Sequence, residues 1–260
     1  MHTLESPQNR LVRGGTRGRS RREGRRRGIL TLPAYPLLDG LRTYWLASME
    51  LTKLEHAALI LEEGGRRLFI DPGAFTTAIT DGARADAIVI THEHPDHWTR
   101  EQLERILQAS PDVRIFGPAG VAAAVGDVAV TVVDHGDTAE AGPFRLRFFG
   151  RKHAVIHESI PVVDNVGVLV NERLYYGGDS FTIPDHVEVE VLAAPAGAPW
   201  LKISEAIDYV LAVKPRHAFP THEMVLSRAG KDMSNQRLAW ATEKSGGTYH
   251  PLEPGDTLSI

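Results

Sequence analysis

The densest group of reactive side chains is His92-Glu93-His94-Pro95-Asp96-His97, an H-x-H-x-D-H run. Imidazole nitrogens and carboxylate oxygens can hold Zn2+, Mn2+ or Fe2+ without any thiolate, and this chain has 12 histidines and no cysteine. Spacing matters as much as number. The run follows the apolar stretch Ala87-Ile88-Val89-Ile90-Thr91. Where a chain stays extended past a strand, residues two apart point to the same side. His92 and His94 can then reach one ion, and Pro95 turns the chain so that Asp96 and His97 can face a second. The competing reading is a polar loop rich in histidine, and further ligands downstream decide between the two.

Such ligands occur at the ends of later strands. His153 follows Phe148-Phe149-Gly150, Asp179 follows Tyr175-Tyr176-Gly177-Gly178, and His222 follows Phe219-Pro220-Thr221. Any one of them alone would pass for a hydrogen-bonded loop residue. Strand ends on one edge of a sheet converge, so together they can share a site.

The elements that must position these residues are legible from residue 49 onward. Residues 50–54 and 57–61 read as strands, Gly64-Gly65 as the turn after them, and 67–70 as a strand ending at Asp71-Pro72-Gly73. The continuous apolar run 87–91 fits a strand buried on both faces. Thr99-Arg100-Glu101-Gln102 has the form of a capping box, followed by Leu103, Ile106 and Leu107 at helical spacing. Further strands are expected at 113–116, 128–133, 144–149, 166–170, 174–176, 187–193 and 216–219, with 248–249 and 257–260 closing the sheet. Helices are expected at 119–125, along the stripe Ile203, Ala206, Ile207, Val210 and Leu211, and at 235–244 with Ser234 as N-cap. Two β-rich halves with helices outside imply two packed sheets between helical layers.

Composition narrows the function classes. A hydrophobic content of 42%, charged content of 24% and net charge of −4 describe an ordinary soluble protein. No apolar run reaches the roughly 18–20 residues that span a bilayer, and the absence of cysteine fits a reducing cytoplasm. The charge is uneven: residues 1–48 carry ten arginines against three acids, and the other 212 carry 19 bases against 30 acids. An acidic body does not suit a nucleic-acid binder. Residues 1–48 read as a disordered Arg-rich extension, or as a non-native start with Met49 the true one. Arg21-Arg22 ahead of an apolar stretch raises an export signal as an alternative, which Asp39, Arg42 and two prolines argue against. Residues 49–260 read as one domain.

In their order and spacing, Asp71, the 92–97 run, His153, Asp179 in Gly178-Asp179-Ser180 and His222 in Pro220-Thr221-His222 resemble the metallo-β-lactamase superfamily across residues 50–260. The loop 150–161, with His153-Ala154-Val155-Ile156-His157, is similar to the compact branch that includes ascorbate-6-phosphate lactonase-like hydrolases. The resemblance implies a four-layer αββα sandwich of two mixed sheets flanked by helices, with two divalent ions at one edge. Zn2+ is the first expectation, and Mn2+ or Fe2+ also suit the ligands. It further implies that His92, His94 and His153 bind one ion and that Asp96, His97 and His222 bind the other. Asp179 would bridge them, with Asp71 orienting ligands from behind. His157, four residues from His153, is a rival for the same position; His153 is preferred as nearer the strand end. His157, His56 and Trp200 are candidate substrate contacts; His56, beside an early strand end, would then lie at the rim, with a structural role as its alternative.

The implied activity is hydrolysis of a small metabolite by a hydroxide held between two ions, with Asp96 orienting it. The scissile bond is left among lactone, ester or thioester, and phosphodiester, with an anionic metabolite favoured. A non-catalytic metal-binding module is one alternative. A diiron redox protein of the same fold is another, disfavoured because His94 stands where those proteins carry Glu and no flavin domain is present.

Overall fold

The first strands set the pattern for the molecule. In the computed structural model, which describes residues 48–260, β1 (Glu50–Lys53) pairs antiparallel with β2 (Leu59–Glu63). The turn Gly64-Gly65, with both residues at positive φ, returns the chain into β3 (Arg66–Ile70). Next come β4 (Ala85–Val89), β5 (Arg114–Gly117) and β6 (Val130–Val132), each parallel to the strand before it. Helices α1 (Arg100–Ala109) and α2 (Ala119–Val125) make the crossovers. The final strand, β14 (Thr257–Ser259), joins the far edge, giving the order β14-β1-β2-β3-β4-β5-β6.

The second sheet is built from β7 (Thr138–Ala141), β8 (Phe144–Phe149), β9 (Gly167–Val170), β10 (Leu174–Tyr176), β11 (Val191–Pro195), β12 (His217–Thr221) and β13 (Thr248–Tyr249). Its order is β13-β12-β11-β10-β9-β8-β7. Helices α3 (Ile203–Val213) and α4 (Arg228–Lys244) cover its outer face.

Period-two alternation assigns each strand residue to a layer. Leu68, Ile70 and Val89 of the first sheet meet Phe148, Val168, Tyr176 and Phe219 of the second in the central core. The residues between them, Phe69 and Ile88, face the other way onto Leu103, Ile106 and Val121 of α1 and α2. Leu169, Tyr175 and Leu192 likewise pack on Ala206, Val210 and Leu238 of α3 and α4. Both faces of each sheet are thus apolar, and the result is the expected four-layer αββα sandwich.

Several local expectations need correction. The last helix begins at Arg228 rather than residue 235, and its N-cap is Ser227, whose hydroxyl accepts from the Gly230 N–H at 3.2 Å. Ser234 is a buried residue inside it. Residues 228–234 have no apolar period, so only the cap marks the true start. The strand expected at 187–193 lies at Val191–Pro195, and β7, Thr-Ala-Glu-Ala, alternates over only four residues with alanine as its sole apolar type, too weak a signal to mark a strand. Strands 248–249 and 257–260 do not close one sheet; they lie on edges of different sheets. The reading of residues 1–48 as a disordered extension falls outside the described residues, Ser48 apart.

Topology then places the candidate ligands. Strands β3 and β4 are parallel, so Asp71 and His92 leave the same edge of the first sheet. Strand β8 is antiparallel to β9, and β9 to β10, while β10, β11 and β12 are mutually parallel. The C-terminal ends of β8, β10 and β12, which lead to His153, Asp179 and His222, therefore share one edge of the second sheet.

Candidate metal centre

Thr99, two residues after His97, caps α1 by accepting from the Gln102 N–H at 3.2 Å and so fixes the end of the loop that carries the candidate ligands. At the other end, Gly73 packs so tightly that a Cβ there would lie 1.8 Å from the Asp96 carbonyl oxygen. Backbone cannot yield to that, so glycine is required for the loop to close on the segment after β3.

Asp71 is fully buried at positive φ (46°) and lies behind the run of histidines. Its carboxylate accepts from the Thr91 N–H at 2.8 Å, the Thr91 hydroxyl at 2.7 Å and His97 Nδ1 at 2.7 Å. That leaves His97 Nε2 facing inward. Other histidines follow the same plan: His153 Nδ1 is held by the Ala154 carbonyl and His222 Nδ1 by the Gly197 carbonyl at 2.7 Å. Fixing one ring nitrogen selects the tautomer and aims the other.

The inward atoms converge on Asp179. His97 Nε2 lies 3.2 Å from Asp179 Oδ1, while His222 Nε2 and His153 Nε2 lie 3.1 and 3.3 Å from Oδ2. His222 Nε2 is also 3.4 Å from Asp96 Oδ2, and His92 Nε2 is 3.1 Å from His94 Nδ1. Three overlapping sets of ligand atoms each lie within 4.8 Å of one another: His92, His94 and His153; His92, His97 and Asp179; and Asp96, His97 and His222 together with His56. His97 Nε2, His153 Nε2, His222 Nε2 and Asp179 Oδ1 are all buried without a hydrogen-bond partner. Buried polar atoms are normally satisfied, so four orphans on one centre fit a cation, and the N/O donor set suits a divalent ion.

The electrostatics point the same way. Burial disfavours charge on His97 and His222, but Asp179 overrides it, helped by Asp71 for the first and Asp96 for the second. His97 is held well above the ordinary imidazole range and His222 is raised to about 9. Burial would raise the carboxyls, yet the surrounding imidazoles hold Asp179 and Asp96 well below their usual range. His92, His94 and His56 are lowered, chiefly by burial. Two anions set among close-packed imidazoles draw positive charge into the centre.

The sequence-derived candidates divide clearly. Asp71, His92, His94, Asp96, His97, His153, Asp179 and His222 come together. His157 does not: it is exposed and bonds locally to Ser159 at 2.8 Å. Trp200 is buried rather than lining a substrate surface, and its indole N–H donates to Asp179 Oδ2 at 2.7 Å. His56 lies at no rim either; it is fully buried, with Nε2 3.2 Å from Asp96 Oδ2.

Two supporting groups escaped the sequence reading. Buried Asn165 accepts from the Asp179 N–H at 3.0 Å and donates to the Gly177 carbonyl at 2.9 Å. Lys53 and Glu223 form a buried ion pair at 2.5 Å beside His222. A signal for the second existed: Lys53 is two residues from Leu51, so it falls on the inward face of β1.

The description "Beta-lactamase superfamily domain" belongs to the family profile that matches residues 50–222. The chain belongs to the metallo-β-lactamase superfamily. Protein Rv0786c of Mycobacterium tuberculosis is 37% identical over 199 residues, covering 75% of this chain and 93% of its own length. A UPF0173 metal-dependent hydrolase of Thermus thermophilus is 24% identical over 237 residues, covering 82% of this chain and 99% of its own. Among solved structures, Igni18, a metallo hydrolase of Ignicoccus hospitalis, superposes with a TM-score of 0.63 at 20% identity, over 82% of this chain and 98% of its own. The structural likeness shows the shared superfamily fold.

Proposed function

We propose that the chain is a metal-dependent hydrolase of a small molecule, with two divalent ions at this centre. The observation that carries the reading is the convergence of buried, unpartnered ligand atoms from His97, His153, His222 and Asp179 on one point. His92, His94 and His153 would hold one ion, Asp96, His97 and His222 the other, and Asp179 lies between the two groups. Paired divalent ions supply hydroxide at neutral pH and polarise a carbonyl or phosphoryl oxygen. The residues around them bind, orient and exclude water. Asp71 and the carbonyls of Ala154 and Gly197 keep His97, His153 and His222 in one tautomer. Trp200 and Asn165 hold Asp179 from opposite ends of the residue, at its carboxylate and its backbone. Asp96, a quarter exposed at its side chain, has room to orient a nucleophile as well as bind. His94 and Asp96, the two partly open members of an otherwise buried set, mark the side from which a substrate would enter.

Zn2+ is the first expectation, and the all-N/O set suits Mn2+ or Fe2+ as well. The imidazole of His94, where diiron proteins of this fold carry Glu, supports hydrolysis over oxygen chemistry. The UPF0173 relative of Thermus thermophilus bears the name metal-dependent hydrolase. Among the described residues no helix is long and apolar enough to cross a membrane; we place the enzyme in the cytoplasm. The likeness of loop 150–161 to the lactonase-like branch makes lactones the first substrates to try, followed by thioesters and phosphodiesters. A screen of these with reconstituted protein should show turnover that His94→Ala and Asp179→Ala each abolish while circular dichroism stays native. Near-normal rates in either variant would show the site to be wrongly assigned.

A further inference from the structure

We infer that His56 is a sixth imidazole ligand of this centre, joining Asp96, His97 and His222 on the second ion; this rests on the two-ion reading above. The geometry is direct. His56 Nε2 lies 3.2 Å from Asp96 Oδ2, and His56, Asp96, His97 and His222 offer ligand atoms that all lie within 4.8 Å of one another. Its separation from Asp96 equals that of His97 Nε2 from Asp179 Oδ1, 3.2 Å, although His56 has no partner behind Nδ1 as His97, His153 and His222 do.

The placement is costly, which argues against accident. His56 sits at φ 59°, a conformation that strains an L residue, and this turn between β1 and β2 swings the ring inward. The imidazole is fully buried, and its Nδ1 has no hydrogen-bond partner. It packs on the His222 ring with centroids 3.9 Å apart, and its backbone carbonyl accepts the His222 N–H at 2.9 Å. A buried ring held under strain gains little from one hydrogen bond to Asp96, and coordination through Nε2 would account for that placement; the unpartnered Nδ1 would carry the proton and take no part.

The consequence is an unequal pair of ions. The second ion would draw on His56, Asp96, His97 and His222 as well as Asp179, whereas the first has His92, His94 and His153 with Asp179. Closed ligand sets hold structural ions and open positions serve catalysis. The second ion, with one imidazole more, is then the tighter one, and the first keeps the more open coordination for substrate.

Co2+ alone is the probe. Chelator-stripped full-length protein is titrated with Co2+, following ions bound per chain, their dissociation constants and the contact-shifted imidazole N–H proton resonances. The wild type should bind two ions and show such a resonance from the fully buried His56 ring, assigned by selective histidine labelling. His56→Gln should lose that resonance and weaken the tighter ion at least about tenfold, leaving the weaker ion's constant unchanged. Two ions in the wild type with the His56 ring unshifted would overturn the inference without any variant, so a misfolded His56→Gln would not shield it. Unaltered constants in a natively folded variant would overturn it as well. Both results leave the two-ion reading standing. A wild type that binds no Co2+ would instead sink that reading, and His56 with it.

Discussion

At the residue scale the centre is a set of tautomer choices made from behind. Trp200 is the sharpest case, because its only polar atom donates to Asp179, the carboxylate on which the other ligands converge. Trp200→Phe keeps an aromatic ring against Phe181 and His153 but removes that donor. Metal affinity should fall about 10- to 100-fold, as losses of outer hydrogen bonds to ligands do, and the smaller ring should also lower the thermal stability of the metal-free chain. Calorimetric titration of metal into both proteins checks it; equal constants would reduce Trp200 to packing. The candidate ligands that come together were legible because their residue types and strand-end spacing are local facts. The contacts of Trp200 and Asn165 were not, since nothing near residues 200 or 165 reveals that Asp179 lies alongside. His56 was seen but placed at a rim, because a positive φ that turns a ring inward leaves no trace in a non-glycine residue.

At the element scale the site depends on two sheets being held edge to edge. Lys53, at the end of β1, reaches Glu223, just past β12, so one buried ion pair ties the sheets together next to His222. Burial lowers the Lys53 ammonium and Glu223 opposes it. Lys53→Met should strand the Glu223 carboxylate and cost about 3–5 kcal/mol in urea unfolding. The double variant Lys53→Met/Glu223→Leu should recover most of that loss, and full additivity of the two single changes would show that they do not act as a pair. Strong apolar strands such as β4 and β8, and the α1 cap at Thr99, could be read from sequence because burial and capping impose patterns. Edge strand β7 and the first turns of α4 could not, since neither buries enough apolar surface to impose one. Gln102 shows the limit of motif reading: instead of completing the capping box, it donates to the Thr76 and Thr77 carbonyls at 3.0 and 3.2 Å and accepts from the Ile79 N–H at 3.0 Å.

At the scale of the whole molecule the metal-free and loaded proteins should respond to pH in opposite ways. His222 is raised from 6.5 to about 9 in the metal-free fold. A raised folded pKa gives stability that is present below the unfolded value and lost as pH rises through the folded one. Chelated protein should therefore lose thermal stability between about pH 6.5 and 9. Divalent ions must displace that proton, so their apparent affinity should rise over the same interval, and binding at pH 7 should release protons. Melting curves with and without chelator test both halves; parallel curves would contradict the assignment of His222 as a ligand. The central claim is that this edge of the αββα sandwich is built around two divalent ions. It meets its most direct test in elemental analysis of the natively purified full-length chain. Two divalent ions per chain are expected, removed by chelator and restored on reconstitution; fewer than one, unchanged by reconstitution, would refute the two-ion centre.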